Sequence, residues 1–515
     1  MQRWMSIGVM LVVSVVLLPG VGMAAGPPEL NLVERFAALE AKVAGLEAQV
    51  KALEQQLLAQ ANSPVMALNA YLTVDPAQHR VRFTGVNLQL VNGTGRTDSV
   101  NGRGNLILGY DLARDDGTYF CADGDYADQH TCEGAGHSWA VSHKTGSHYL
   151  VIGDMNNYAQ YGGLVVGAYN TSSGPSASVS GGRFNTARGP GASVSGGREN
   201  RASGHYASVS GGNGNTASAP YATVSGGDWN AASGTYATVS GGSGNAASND
   251  HATVSGGILN TASGSFASVS GGNKNTASGP YAGVSGGALN TASGGSASVS
   301  GGLLNTASGT TTTVSGGNEN TASAPHASVS GGRENQATGD YASVSGGTGN
   351  TASGPDTSVS GGGRNTASEP YASVSGGQGN IASGTAASVS GGSGNTASGL
   401  SGTVSGGSFN TASGYYTSVS GGRENTTSGI YATVSGGSTN TASGLSASVS
   451  GGFLNTANGE ATSVSGGGGN TASGGAATVS GGSKNTARGP AASVSGGHQL
   501  KAAEPHDWVA GRLKQ

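Results

Sequence analysis

The two cysteines of the chain, Cys121 and Cys132, are the side chains best suited to covalent chemistry. An isolated pair of cysteines in an exported chain predicts one disulfide, which would staple the loop between them. Zinc is the alternative, because His130 and His137 lie close by in the sequence. The spacing of these four residues matches no standard zinc finger, so we expect a disulfide and no metal site.

A run of acidic residues in the same stretch offers oxygen ligands to a hard cation. Asp123, Asp125 and Asp128 could bind calcium, but they do not follow the order of an EF-hand loop. Runs of this kind are more often solvated acidic loops. Calcium binding therefore stays open at these residues, and we predict no cofactor.

Catalytic groups do not recur along the chain, since neither paired carboxylates nor a Ser/His/Asp set is repeated. Glycine-rich stretches such as Gly242–Gly244 imitate phosphate-binding loops, but 96 glycines produce such matches by chance. Calcium-binding glycine repeats need aspartate where this chain has Asn215, Asn245 or Asn350. Charged residues make up 10% of the chain and the net charge is −4, which argues against nucleic-acid binding. We expect a protein that is not an enzyme.

A repeat of fifteen residues must position the other side chains. Val-Ser-Gly-Gly occurs twenty-two times between Val179 and Gly497, always at the same interval, without insertion or deletion. A fixed period of this length predicts a solenoid, in which each unit stacks on the one before it. We expect the regular array to span residues 177–497, so function should lie on a long surface and not in a pocket.

Each unit reads as two short strands. Val179 and Val194 in the first strand, and Ala187 and Ala202 in the second, alternate with polar residues and should point inwards. The predicted fold class is mainly β, a parallel β-roll or solenoid of fifteen-residue coils that follows an N-terminal α-helical coiled coil.

Glycines end the strands, and we expect sharp turns with positive φ at Gly196, Gly197 and Gly204. The inward side chains are too small to bury much apolar area in one coil. At about 25 cal/mol per Å², one valine and two alanines hardly offset a backbone ordering cost of about 1–2 kcal/mol per residue. We therefore expect the rolls of several chains to pack together.

Asparagine recurs at every fifteenth position from Asn185 through Asn200 and Asn215 to Asn485. Stacked amides can hydrogen-bond from coil to coil and to the backbone of the turns, which is a structural role. They could also line a track for ions or ligands. We favour the structural interpretation.

Two positions before each first strand vary freely, so we expect them to project outwards. The second of them is often aromatic and would form a stripe along one edge of the roll. The stripe comprises Tyr206, Tyr221, Tyr236, His251, Phe266 and Tyr281. Such aromatics could bind a glycan or another protein, although packing over the turns explains them equally well.

Residues 29–61 carry an apolar heptad seam, which predicts a parallel coiled coil. Arg35 and Glu40 flank this seam five residues apart, the spacing at which parallel neighbours pair. Valine with leucine in the core favours a dimer, but Arg35–Glu40 matches the Arg-hydrophobic-x-x-hydrophobic-Glu pattern of short trimeric coiled coils. We expect a homotrimer, with a dimer as the alternative. The seam comprises Phe36, Leu39, Val43, Leu46, Val50 and Leu53.

The start of the chain is typical of an exported protein. Residues 1–25 contain Arg3, an apolar run from Ile7 to Leu18 and then small residues, which predicts a secretory signal peptide. The apolar run is short for a transmembrane helix, which needs about twenty residues. We expect a secreted or cell-surface protein with no membrane span after cleavage.

Four further boundaries follow from the pattern. Residues 66–100 alternate in a way that predicts a small β connector. Residues 101–176 predict early coils with bulkier cores, interrupted at about 110–145 by an insertion that carries both cysteines. The repeat pattern is lost at residues 498–515, where we expect a cap on the last coil.

The half-repeat, with Asn or Ala, Ser or Thr, Ala or Val, then Ser-Gly, resembles the head units of YadA-like trimeric autotransporter adhesins. The resemblance covers about residues 150–497 and implies a left-handed parallel β-roll, with three rolls around an axis. It places Val194 and Ala202 at the small inward position of the family, and Gly196 and Gly204 at its turns.

The sequence departs from that family in three ways. The coil has fifteen residues where the family usually has fourteen, and asparagine replaces serine in one half. Gln515 is reached without the C-terminal membrane anchor of the family, so we expect that the chain does not export or anchor itself as those adhesins do.

Taken together, these features predict an exported fibrous protein that acts as an adhesin or a structural filament element through the outer face of the roll. We expect it to associate with itself, as a trimer or end to end, and to bind a glycan or protein surface. An ice-binding or other ordered-surface-binding solenoid with Ser/Thr ladders is the alternative. That alternative predicts outward rows of threonine, whereas Ser180 and all its equivalents are serine.

Overall fold

The structure, a computed structural model, describes residues 32–61, 67–122, 126 and 128–511. They form two compact units divided between Gln89 and Leu90. Several predicted features lie outside the described residues: the signal peptide, the first three residues of the coiled coil, Asp123, Asp125 and the last four residues of the cap.

The first unit contains a long helix and a small hairpin. The helix runs from Leu32 to Ala61, as the heptad pattern predicts for this part of the chain. The hairpin strands Leu72–Asp75 and Arg80–Phe83 are antiparallel and lie within the predicted β connector. Short 3-10 helices, Leu68–Ala70 and Pro76–Gln78, precede and join these strands.

The second unit begins with irregular coils. Leu106–Leu108, Leu150–Asp154 and Leu164–Ala168 pair side by side in parallel, and Leu150 lies opposite Leu164, fourteen residues on. The remaining elements of this region are the strands Phe120–Cys121, Trp139–Ala140, Asn157–Tyr158 and Thr171–Ser172 and the helix Gln129–Gly134.

The regular coils follow, with two strands of two residues in each. First strands recur every fifteen residues from Ser178–Val179 to Ser493–Val494, and second strands from Thr186–Ala187 to Thr486–Ala487. The final coil supplies Lys501–Ala502 and Trp508–Val509. Each strand pairs in parallel with its equivalents in the adjacent coils, as Val179 does with Val194. The predicted parallel β-solenoid of fifteen-residue coils is confirmed.

A third line of contact between coils was not predicted. Single-residue bridges link Arg183 to Arg198, Arg198 to Asn213, and so on to His498, at the variable position after the paired glycines. Backbone bonds at this position depend on no particular side chain, so the sequence pattern gives no sign of them. Each coil is therefore tied to the next at three places around its circumference.

The core is narrow, and the coils of a single chain shield it from solvent. The valine column is at most 1% exposed from Val179 to Val494, and so are the two alanine columns that include Ala187 and Ala192. A bulkier side chain, Tyr149, fills the irregular first coils, where its hydroxyl donates to the carbonyl of Ser172 at 3.2 Å. The core of the roll thus needs no second chain to shield it from water.

The glycines play different parts from those expected. Gly197 has a φ of +86°, and a Cβ there would lie 2.1 Å from the carbonyl oxygen of Gly212. Gly204 does not have positive φ, but a Cβ would lie 1.9 Å from the carbonyl oxygen of Ala219 in the next coil. Gly196 has open space at its Cβ position. The expectation of positive φ was therefore wrong for Gly196 and Gly204, and close approach of coils explains Gly204.

Candidate ligand-binding ridge

The aromatic stripe occupies a turn that is repeated in every coil. Ala222 N–H donates to the carbonyl of Ala219 at 3.1 Å, which closes a β-turn around Pro220 and Tyr221. Tyr221 has a φ of 57°, and positive φ at the third residue after proline at the second is characteristic of a type II turn. Glycine or asparagine normally takes that position, because other side chains are strained there.

The six predicted stripe residues all adopt this left-handed conformation, with φ between 54° and 58°. Each backbone N–H also reaches the preceding coil, as Tyr236 N–H does with the carbonyl of Pro220 at 3.0 Å. The conformation costs about 1–2 kcal/mol per residue for an L-amino acid. We call the six residues from Tyr206 to Tyr281 the aromatic ridge.

The rings of the aromatic ridge form a continuous stack. Successive centroids from Tyr206 to Tyr281 lie 4.6–5.5 Å apart, with planes inclined by 4–19°. The rings are nevertheless open to solvent, since the tyrosines and Phe266 are 45–64% exposed. Neighbouring rings cover one another's faces, so the ridge offers ring edges and phenol hydroxyls to a ligand.

Further rings lie in the same column, beyond those singled out in the sequence. His326 stacks on Tyr341 with centroids 4.6 Å apart, and Tyr416 stacks on Tyr431 at 5.3 Å. Their fifteen-residue spacing from Tyr281 is the signal that would have identified them. Exposed Tyr415 and Ile430 stand beside the second pair and widen the apolar surface there.

The asparagine column lies inside the roll and bonds to backbone groups. Asn275 donates to the carbonyls of Gly271 and Gly287 at 2.9 and 3.0 Å, and its own carbonyl accepts Asn290 N–H at 3.0 Å. Asn185, Asn200 and Asn215 make the same three kinds of bond. These side chains are buried and have their amide groups engaged, which leaves them unsuited to hold a ligand.

Hydroxyl side chains form rows on the outside of the strands. In the second strand, threonine stands at the outward position of seven successive coils from Thr396 to Thr486, in parallel register. The equivalent position of the first strand mixes serine and threonine. The roll therefore has a flat threonine row on one strand, in addition to the invariant serines that follow the valines.

The two cysteines sit in the insertion that covers the first coils. Their Cα atoms are 5.7 Å apart, a separation that a disulfide requires, and both side chains are buried. The insertion is held to the roll by Arg114, whose guanidinium donates to the hydroxyl of Thr171 at 3.3 Å and to the carbonyl of Tyr169. Burial lowers the pKa of Arg114, while Asp116 opposes that shift.

A second polar contact joins the insertion to the roll. The hydroxyl of Tyr158 donates to the carboxylate of Asp111 at 2.9 Å, and the ammonium of Lys144 binds the same carboxylate. Burial, followed by the hydrogen bond to Asp111, raises the pKa of Tyr158. Burial also raises the pKa of Tyr149 to about 12, so both phenols stay neutral and act structurally.

The predicted seam of the helix is exposed to solvent. Phe36, Leu39, Val43, Leu46, Val50 and Leu53 are 44–63% exposed, and the 30-residue helix buries no side chain. Arg35 and Glu40 lie beside the seam on the same helix. Within the described part of the first unit, no other segment of the chain buries this apolar strip.

The described residues contain neither a metal-binding cluster nor a membrane-spanning helix. No three His, Cys, Asp or Glu side chains within 32–61, 67–122, 126 and 128–511 are placed to hold a metal ion. Over those ranges, no helix combines the length and apolar character needed to cross a bilayer.

Comparison with known proteins adds no family assignment. No protein-family model matches the chain, and a search of curated proteins found no match. The fold is a parallel β-solenoid, and function has to be argued from the surface of the roll and from the helix.

Proposed function

We propose that the chain is an exported, non-enzymatic fibrous protein that assembles as a trimer and adheres to its target through the outer face of the β-roll. The observation that carries this proposal is the aromatic ridge, where six exposed rings form one continuous stack. The strain itself is common to this turn, since Ala386 and Ala476 adopt the same conformation in their own coils. Glycine holds the same place at Gly191, so the turn itself does not require an aromatic side chain.

Association of chains is supported by the helix. Its exposed seam is typical of a coiled coil, and helices in proteins derive most of their stability from packing of such an apolar face. Arg35 and Lys42 stand on one flank of the seam, with Glu40 and Glu47 on the other. A parallel arrangement brings opposite charges together, whereas an antiparallel one brings like charges together. A parallel homotrimer satisfies both the seam and the Arg35–Glu40 pattern, and a trimer of YadA-like type is consistent with this coiled coil.

Adhesion is supported by the size of the aromatic ridge. Six half-exposed aromatic side chains present on the order of 500 Å², which reaches the size of patches that mark binding sites on monomeric proteins. Export follows from the predicted signal peptide, which lies outside the described residues. No sequence feature favours catalysis at this surface.

The ligand that fits the aromatic ridge best is a linear polysaccharide. The rings recur every 4.6–5.5 Å, so a ligand with a comparable repeat contacts several of them at once. A strand ladder, such as that of another copy of this roll, has a similar repeat, so contact between chains is the alternative that the test must separate. Sugars offer hydroxyl oxygens for the electropositive ring edges and hydroxyl groups for the phenols of Tyr206, Tyr221 and Tyr236, so one chain can satisfy both kinds of contact.

The test compares two variants that each lose three exposed apolar side chains. The ridge variant combines Tyr221→Ser, Tyr236→Ser and Phe266→Ser, because serine already occupies this column at Ser296. The control variant combines Trp229→Thr, Leu289→Thr and Leu304→Thr at the other left-handed turn, where Thr439 occurs naturally. Both leave the core unchanged.

Binding is measured as depletion of the full chain by suspended cellulose and chitin particles. We expect the ridge variant to bind at least tenfold more weakly than the control and the unaltered protein. Equal binding by all three proteins, or no binding by any, contradicts the polysaccharide proposal. A change in sedimentation of the ridge variant with no polysaccharide binding by any of the proteins would instead assign the ridge to contact between chains.

A second function is favoured by the threonine row. Seven threonines in register from Thr396 to Thr486 form a regular hydroxyl and methyl array of the kind that an ice-binding solenoid needs. Thermal hysteresis of the purified protein tests this function. A freezing point depressed below the melting point supports it, and its loss on changing Thr426, Thr441 and Thr456 to lysine would locate it on the row. Coincident melting and freezing points exclude it.

A further inference from the structure

The last coil of the roll differs from all the others at two inward positions. Leu500 stands in the asparagine column, and Asp507 stands in the column that holds Ala492 in the coil before. At every earlier regular coil, that second column contains alanine, threonine or glycine. The residues of this column are buried wherever a further coil follows, as Ala492 and Thr462 are.

The carboxylate of Asp507 replaces hydrogen bonds that an additional coil would make. In the preceding coil, the N–H groups of Arg488 and Gly489 both donate to the carbonyl of Ala502 in the next coil, at 2.8 and 3.4 Å. The equivalent groups of the last coil, Ala503 N–H and Glu504 N–H, donate instead to Oδ2 of Asp507 at 2.9 and 3.0 Å. One side-chain oxygen thus takes the place of the next carbonyl.

Leu500 ends the asparagine column at the same level. Its N–H donates to the side-chain oxygen of Asn485 at 2.9 Å, as each asparagine N–H does in earlier coils. The side chain of leucine has no oxygen, so the corresponding backbone N–H of a further coil would have no acceptor here. A buried N–H without a partner is unfavourable.

We infer that Asp507 and Leu500 form a built stop that closes the C-terminal end of the roll to a second copy of this chain. The open edges of terminal strands are templates for pairing with another chain, and an inward-pointing charge is one of the devices that block such pairing. A second roll stacked here would bury the carboxylate of Asp507 without a cation, which is strongly unfavourable.

A second copy stacked on this end would pair through the first strand of its own ladder. Leu106–Leu108 pairs with Leu150–Asp154 on one side, and its three apolar side chains are exposed. Parallel pairing of this strand with Trp508–Val509 would continue the first ladder from one molecule to the next. Contacts of this head-to-tail kind generate filaments when they do not close into a ring. The stop therefore makes the roll a discrete rod.

The hydrogen-bonding part of the stop is tested by amide exchange in the full-length protein. We expect Asp507→Ala to raise the exchange rates of the Ala503 and Glu504 amides at least tenfold, and Asp507→Asn to preserve most of their protection. Glu504→Ala is the matched control, because it removes a carboxylate from the same coil that makes no such bond. Unchanged exchange in Asp507→Ala overturns the proposal.

The exclusion of a second copy is tested by restoring the repeat pattern with Leu500→Asn and Asp507→Ala together. We expect this double variant to form species of two or more assembled units in sedimentation velocity, and longer rods in electron microscopy. The unaltered protein and Glu504→Ala should keep one size. A double variant that retains slow exchange at Ala502 and yet sediments like the unaltered protein contradicts the stop. Fraying of the last coil at Ala502 also contradicts it, because the restored asparagine and alanine should support stacking.

Discussion

At the scale of single residues, the paired glycines of each repeat have unequal roles. The second glycine of the pair has positive φ and lies against the backbone of the next coil, as Gly272 does with Gly287. The first, as in Gly271, has open space where a Cβ would stand. In two copies, at Gly226 and Gly496, the first glycine also has positive φ, at 157° and 148°, but the space for a Cβ is open there as well.

Substitution of the second glycine should destabilise the roll far more than substitution of the first. In Gly272→Ala, the added Cβ would lie 2.1 Å from the carbonyl oxygen of Gly287, in a left-handed backbone conformation. We expect a loss of about 3 kcal/mol in the free energy of unfolding. Gly271→Ala, the matched control, should change it by less than about 0.5 kcal/mol. Guanidinium denaturation measures both, and equal effects would show that the coil geometry is wrong.

The buried asparagines should each contribute strongly to stability. Asn275→Ala removes two donated bonds and leaves Asn290 N–H without its acceptor. We expect a destabilisation of roughly 3 kcal/mol, because unsatisfied buried groups cost about 1–3 kcal/mol each. Asn273→Ala, in the same coil but exposed, should have little effect. Denaturation midpoints and local amide exchange compare the two, and similar values would contradict the ladder.

How much the sequence reveals differs from column to column. Inward valine and alanine could be predicted because alternation and exact periodicity leave few other arrangements. The left-handed turn at Tyr221 could not be read from the aromatic residue, which is unusual there, although Pro220 before it was a usable signal. The close approach at Gly204 depends on the distance between coils, which no local pattern encodes.

At the scale of elements, the helix and the roll differ in what they need from a partner. The valine and alanine columns are buried within one chain, so the thin core alone does not require several rolls to associate. The helix seam, by contrast, is exposed along its length. The proposed assembly of chains should therefore depend on the helix and not on the roll.

A charge placed in the seam should dissociate the assembly. Val50→Lys puts three ammonium groups at the centre of a parallel trimer, where burial of like charges is unfavourable. Gln55→Lys introduces the same side chain on the opposite side of the helix and is the control. Sedimentation equilibrium should give a single-chain mass for Val50→Lys and a three-chain mass for Gln55→Lys. Identical masses for the two variants would remove the helix as the site of assembly.

The insertion should depend on its two cysteines. A disulfide between Cys121 and Cys132 closes a loop of about a dozen residues, which corresponds to roughly 3 kcal/mol in the chain-entropy model. We expect Cys121→Ser to loosen residues 128–140, seen as faster amide exchange, with the coils beyond Ser178 unchanged. Mass spectrometry without reductant should show the intact chain two hydrogens lighter than the reduced one. Two free thiols in the native protein would contradict the pairing.

At the scale of the whole molecule, repetition turns small coils into a long ordered surface. The first ladder contains 26 strands and the second 24, each joined to its neighbours in register. Stability in such a stack is a sum of coil and neighbour terms, so weak coils persist when many are joined. The same repetition places rings of the aromatic ridge at regular intervals, which is why a periodic ligand suits it.

The length of the roll is the most direct test of the account. At about 4.8 Å per strand, 26 strands span about 120 Å, and the stop formed by Asp507 and Leu500 should keep that length fixed. Negative-stain electron microscopy of the purified protein should show rod segments of one length near that value. Compact particles would contradict the stacking of coils, and filaments without a defined length would contradict the closed end.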